Sequence, residues 1–498
     1  MKKTFAILLV LSLCIFPACA NEGTQNIITT TADATTNTPT ESTPTTATTT
    51  ATTTAPEPPP KAPDPLLAGF AERDFTPTKK GGSMPGSSGV QTANGVTMPL
   101  FTNAAAFESG DTAFILVSVD ILRFTDYGVR TMRERINEST GVPKENIMLV
   151  ATHTHRGIGL DIQHNQNKPD KEAYDHMIDM TVEAATEAWT GRAAVKYGHG
   201  KTTLPGFSFC RDAYMTNGDI KTWPSPSKLV KPISEVDRSV NVMRFDDAEG
   251  KIKCFIVNYA NHPDSSSGSK YNADYPGYMR KLLKETYGED VTVLYLNGAE
   301  GDVNFIDYEN GAKSSGSNQT IGTALAASII RLNSSIVADK EYAEISSISK
   351  MHAAPQQKPT ADDILWAKET LKKVENGEKV DNLSKKYAIE YTTYDFSNWG
   401  DTFDIEIQTM VLGDFAFVGL PCETYSEIGR RIKETSPYEN TFVISLANLS
   451  YGYMAPDFVY GTSAYPARFS PSSARTTVGI ADVLVNGAVS MLNEIKNN

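Results

Sequence analysis

Cysteine is scarce in this sequence of 498 residues: there are five, and Cys14 and Cys19 fall within its first twenty positions. The remainder, Cys210, Cys254 and Cys422, is an odd number, so no complete disulfide framework is implied. A single bridge is possible, with its pairing open. Long apolar runs are equally few. Beyond Phe5–Phe16 no stretch approaches the roughly 20 apolar residues a membrane-spanning helix needs. No internal repeat is visible. An excess of positive charge is also missing: 46 Lys and Arg against 59 Asp and Glu give a net charge of −13. That balance argues against a nucleic-acid partner and provides no pull toward an anionic surface. What remains is ordinary for a globular chain, 40% hydrophobic and 21% charged.

The averages hide a division near the N-terminus. Lys2 and Lys3 precede the apolar run, and Ala18, Cys19 and Ala20 follow it, the pattern of an export signal over residues 1–20. Phe16-Pro17-Ala18-Cys19 resembles a bacterial lipobox with Phe16 where Leu is usual, which implies acylation at Cys19 and a membrane anchor. The alternative is simple cleavage after Ala18-Cys19-Ala20. Both readings place the protein outside the cytoplasm, on the outer face of the membrane or secreted. Residues 21–64 are Thr, Pro, Ser and Ala with almost nothing to bury, so they read as an extended tether. Residues 65–498 are left as the folded part, long enough for a large core.

Within it, apolar strands alternate with amphipathic helices. Phe114–Leu122, Asn146–Thr152, Lys253–Tyr259, Val291–Leu296, Phe403–Met410, Phe415–Leu420 and Thr441–Leu446 read as strands. Tyr127–Ser139, Lys171–Trp189, Tyr278–Thr286, Thr360–Glu375 (capped by Thr360), Thr424–Ile432 and Thr477–Ile495 read as helices. Continuous apolar strands between helices predict an α/β or mixed α+β fold, with sheets covered by helices and a site at the strand C-termini.

Three strand exits deliver chemistry. Asn146–Thr152 ends in His153-Thr154-His155, and residues two apart in an extended chain share a face, so both imidazoles should enter one site. Paired imidazoles point to a metal such as zinc, against the plain alternative of hydrogen-bonded core histidines. Lys253–Tyr259 leads to His262, where Pro263 stops the strand. Phe415–Leu420 leads to Glu423, either a buried carboxylate needing a cation or a first-turn helical Glu. Tyr453 follows the strand Thr441–Leu446; taken alone it reads as a packed, hydrogen-bonded tyrosine. The remaining histidines, His164, His176, His199 and His352, lack such context and read as surface or structural.

In order along the chain, several segments resemble the neutral/alkaline non-lysosomal ceramidase family. They are Gly69–Pro77, Ile147–His155, Asn261-His262-Pro263, Ala273–Tyr278, Asn297–Asn304, Gly419–Glu423 and the tyrosine loop through Phe469. The resemblance spans nearly all of the folded part. It implies one zinc held by His153, His262, Glu423 and Tyr453. It also implies an acid/base role for His155, and donation to the reacting oxygen by Arg211 and Tyr465. Departures are visible. Arg156 stands where the family has Ser and would bring a charge to the pocket mouth. Asn304 lies in the segment where the enzyme form has Ser, and Cys422 stands where Gly is familiar. The family carries a further immunoglobulin-like domain after the catalytic one, whereas this sequence ends at Asn498. The expectation is zinc-dependent hydrolysis of an N-acyl amide, first N-acylsphingosine, to a fatty acid and a sphingoid base. The competing readings are a hydrolase of another envelope amide or ester, and a non-catalytic lipid- or glycan-binding surface lipoprotein.

Overall fold

The computed structural model describes residues 64–86, 89–159 and 168–497, so the export segment, the tether and His164 lie outside the described residues. The chain from Leu67 runs β1 (Leu67–Asp74), β2 (Phe101–Ser109), β3 (Thr112–Val119), α1 (Asp126–Thr140), β4 (Ile147–Ala151) and α2 (Lys168–Thr190). The order across the sheet is β4-β3-β2-β1, with the two-residue strand Ala193–Ala194 antiparallel at the β1 edge and only β3 and β4 parallel. The same plan follows with β5 (Lys196–Thr203), β6 (Ser239–Asp246), β7 (Ile252–Tyr259), α3 (Asp274–Tyr287), β8 (Thr292–Asn297) and α4 (Asn318–Asn333). Here the order is β8-β7-β6-β5, and β7 and β8 are parallel.

It returns once more in β9 (Ile345–Pro355), β10 (Thr402–Leu412), β11 (Phe415–Gly419), α7 (Ser426–Thr435), β12 (Asn440–Ile444) and α8 (Ile480–Asn497). The order is β12-β11-β10-β9, with β11 and β12 parallel. Helices α5 (Ala361–Glu375) and α6 (Asn382–Thr393) are inserted between β9 and β10. The fold is mixed α/β, as expected, but the absence of an internal repeat is a property of the sequence alone. Topology repeats three times where side chains do not, because strand order depends on apolar pattern and chain direction rather than on residue identity.

That repetition explains the continuous apolar strands. One face of each sheet meets two helices: α1 and α2, α3 and α4, or α7 and α8. The other faces meet each other, through Phe107, Phe114 and Leu116, then Phe245, Ile256 and Leu294, then Met410, Phe417 and Phe442. A strand buried on both faces has no polar alternate. Each such side chain contributes roughly 1.5–3 kcal/mol by leaving water.

Local signals hold the helices. In α1, Val129, Met132 and Ile136 are buried at helical spacing, the Thr125 hydroxyl accepts from Gly128 N, and Gly141 ends the helix at φ 76°. In α5, Thr360 and Asp363 form the reciprocal capping box. Several helix limits differ from the sequence reading, α2 beginning at Lys168 rather than Lys171 among them. α3 begins at Asp274 rather than Tyr278, since Pro276 is tolerated in a first turn. α8 begins at Ile480 rather than Thr477. α7 begins at Ser426 rather than Thr424, because Glu423-Thr424 is taken into a short parallel bridge with Tyr453-Met454. The three cysteines Cys210, Cys254 and Cys422 are buried and unpaired.

Candidate metal centre

Each unit ends its parallel pair at the same place. Ser118 Oγ donates to Tyr295 O at 2.6 Å, and Asn258 Nδ2 donates to Val443 O at 3.0 Å, tying the strands of neighbouring units together. Gly301 lets two exits touch. Its N–H donates to Thr424 O at 2.7 Å, and a Cβ there would lie 2.5 Å from Glu423 O. Only glycine fits this approach.

β4 stops at Ala151, and His153 takes a left-handed backbone at φ 74°. The extended-chain argument for the His153/His155 pair therefore fails in its reason. Both rings reach the site through a turn at His153, with centroids 5.0 Å apart. Such a conformation costs a non-glycine residue about 1–3 kcal/mol and tends to occur at functional sites. The His153 Nδ1–H donates to Leu122 O at 2.8 Å, which leaves Nε2 as a lone pair. His262 repeats the arrangement with a longer contact, Nδ1 to Glu300 O at 3.4 Å. The two Nε2 atoms then face each other at 3.1 Å. Two lone pairs at that distance require a proton or a cation between them.

Glu423 brings Oε2 to 3.4 Å from His153 Nε2 and 3.6 Å from His262 Nε2. Glu300 adds a fourth group: one ligand atom from each of His153, His262, Glu300 and Glu423 lies within 4.8 Å of the others, and all four residues are buried. Glu423 Oε2 and both carboxylate oxygens of Glu300 have no hydrogen-bond partner. Burial pushes Glu300 up to about 8, with Glu423 adding to the rise. Burial acts upward on Glu423 too, but His153 and the Tyr453 hydroxyl, which donates to it, hold it at about 2. Two carboxylates with unpartnered oxygens and two imidazoles whose Nε2 atoms face each other form a donor set that fits a divalent cation such as zinc. The sequence reading assigned Glu300 no role. An apolar strand (β8) precedes it, but Glu300 comes three residues past the strand end and Asp302 follows two residues later, so local sequence does not single it out.

Around this cluster, His155 lies 5.3 Å from His262 between ring centroids, and neither of its nitrogens has a hydrogen-bond partner. Burial, then the neighbouring His153, brings it down to about 3, so it is neutral near pH 7. With His153 and His262 it forms a second group of potential ligands. Arg211 is buried; its Nη2 donates to Gly301 O at 2.7 Å, its Nε is unpartnered, and its guanidinium lies 5.3 Å from the Tyr453 ring centroid.

Tyr453 pairs with Glu423 across the short bridge, which its packing alone would not foretell. Tyr465 stands edge-on to Tyr453 at 5.5 Å between centroids, with its hydroxyl 3.2 Å from both Lys386 Nζ and Ser473 Oγ. Asn304 donates to Asp264 at 3.2 Å. Burial raises Asp264 to about 7 against the pull of Arg211. Arg156 is itself buried, with Nη1 on Gln91 Oε1 at 2.8 Å.

Fold and site together define an α/β protein with a buried His/Glu cluster where three sheets converge. Among solved structures, the chain is similar to the neutral ceramidase from Pseudomonas aeruginosa, at TM-score 0.62 and 16% identity, covering 86% of this chain and 75% of that one. A ceramidase complexed with C2 gives TM-score 0.64 at 16% identity, covering 86% and 76%. The chain has the fold of the neutral ceramidases. No protein-family model matches the sequence, and no curated protein matches it.

Proposed function

We propose that the protein is a zinc-dependent amidohydrolase acting on an N-acyl amide, with a ceramide-like lipid as the first substrate to try. One observation carries the reading: donor atoms from residues as far apart as His153 and Glu423 converge within 4.8 Å while buried carboxylate oxygens lack any partner. The shared fold with neutral ceramidases supports the choice of an amide bond.

His153, His262 and Glu423 would hold the ion, with Tyr453 and Glu300 beside them. When bound, zinc supplies Lewis acidity and lowers the pKa of water from 15.7 to about 7. The chain's own residues do the rest. Neutral His155, unpartnered at both nitrogens, accepts the proton of the attacking water and returns it to the leaving amine. Arg211, charged and buried, offers its free Nε–H to the oxygen on which negative charge develops, an effect worth about 10²–10³ in kcat per donor. Tyr465 is the second donor, oriented by Lys386 and Ser473.

The test is metal analysis of the purified protein, followed by hydrolysis of a fluorogenic N-acyl substrate with and without a chelator. Bound zinc with chelator-sensitive turnover is expected; a protein that takes up no zinc when supplied overturns the reading. We further propose export and anchoring through Cys19. Cys19→Ser should abolish incorporation of labelled fatty acid into the protein, and incorporation that persists would overturn the anchor.

A further inference from the structure

A cleft of about 570 Å³ is walled in part by Tyr465, whose ring stands 5.5 Å from that of Tyr453. Its walls are of two kinds. Trp223, Leu383, Tyr387 and Tyr465 give it apolar, largely aromatic surfaces, and Trp223 remains 48% exposed although it is large and flat. Lys221 and Arg468 provide two cations, and no Asp or Glu lines the cleft. That is a local reversal of sign in a chain of net charge −13.

Neither cation is neutralised by an ion pair among the described residues. The Arg468 guanidinium lies over aromatic rings, 4.3 Å from the Tyr387 centroid and 4.4 Å from that of Trp366, and its side-chain hydrogen bond goes to the neutral Tyr391 hydroxyl rather than to a carboxylate. Asp219, two residues before Lys221, is occupied by N–H groups from Ser463 at 3.0 Å and Ile220 at 2.8 Å.

The cleft also joins the candidate centre through the backbone. Trp223 N donates to Arg211 O at 2.9 Å, Tyr465 N donates to Thr222 Oγ1 at 2.8 Å, and the Trp223 and Tyr465 rings are 5.5 Å apart. Trp223 is held at φ 52°, a left-handed conformation that a large side chain rarely adopts. The loop is therefore shaped to present this ring beside the two residues that would meet the reacting oxygen.

From this juxtaposition we propose that the cleft receives one end of the substrate, and that this end is apolar in its body and anionic at its tip, a carboxylate or a phosphate. The inference rests on the amidohydrolase reading and narrows its substrate to amides bearing such an anion, which ranks an anionic ceramide-like amide above plain N-acylsphingosine.

Three fluorogenic N-acyl amides of matched length test it, ending in a carboxylate, a phosphate monoester or a primary alcohol. The zinc-loaded full chain should favour at least one anionic member over the alcohol by roughly tenfold or more in kcat/KM, the scale of a charged hydrogen bond. The better of the two identifies the anion. Lys221→Gln with Arg468→Gln should collapse that ratio toward one, and Arg468→Lys should keep part of it. A ratio near one in the unaltered protein, or one unmoved by the double substitution, overturns the proposal.

Binding is read separately from turnover, by quenching of Trp fluorescence with the anionic amide and by loss of that signal in Trp223→Phe. Should no amide be hydrolysed while Trp223-dependent, anion-selective binding persists, the amidohydrolase reading falls and the cleft assignment stands. Equal quenching by the alcohol sinks the cleft assignment alone.

Discussion

At the scale of single residues, the site separates holding a cation from moving a proton. His153 Nε2 faces the cluster, whereas His155 has two free nitrogens beside it. His155→Ala should therefore retain zinc by elemental analysis and lose turnover, while His153→Ala should lose both. Full turnover in zinc-loaded His155→Ala would remove the proton role. Glu300 makes a sharper case because local sequence does not name it. Glu300→Gln keeps the volume and removes a carboxylate that could ligate the ion, and zinc affinity should fall about 10–100-fold in competition with a chromogenic chelator. An unchanged affinity would place Glu300 outside the coordination sphere. The Gly301 contact with Glu423 O is as demanding, and Gly301→Ala must displace that strand exit.

Secondary-structure elements carry their own consequences. Lys433 on α7 donates to Asp237, just before β6, at 2.7 Å, joining two of the three units. Burial alone would raise the Asp237 carboxyl, but Lys433 and the Ser239 groups overcome it and hold the acid at about 2. A depressed acid stabilises the fold above its ordinary value of about 3.9, and the contribution is lost as pH falls through its folded value. Lys433→Met should cost roughly 1 kcal/mol near neutrality, since the pair is partly solvated. The deficit in urea midpoint should shrink as the pH is lowered from 4 to 2. A deficit constant with pH would mean that the methylene packing of Lys433 matters and its charge does not. In α5, Thr360→Ala removes the reciprocal cap and should lower stability by about 1 kcal/mol by calorimetry. This cap was legible beforehand because it lies within four consecutive residues.

Across the whole molecule, the cluster takes one or more residues from every unit: His153 from the first, His262 and Glu300 from the second, Glu423 and Tyr453 from the third. A cation bound there binds the folded chain and not the unfolded one. It should add about 4 kcal/mol at a thousandfold excess over Kd. Chelation should accordingly lower Tm by several degrees, and the shift should vanish in His153→Ala. A Tm indifferent to zinc in the unaltered protein would deny that the ion joins the units.

Sequence by itself determined the parts that depend on neighbours in the chain. The apolar runs of β3, β4, β7, β8 and β11, the helical faces of α1 and α5, and the abrupt turn to His or Glu at strand ends are all set within a few residues. Only the tertiary structure decided which exits meet. That Glu423 bridges to Tyr453 instead of opening α7, that Glu300 joins the cluster, and that Lys386 of the α5–α6 insertion touches Tyr465 all depend on strand pairing and packing between segments far apart in the chain. The turn at His153 belongs to the same class, since a left-handed backbone at a histidine is imposed by its surroundings and not by its own preference.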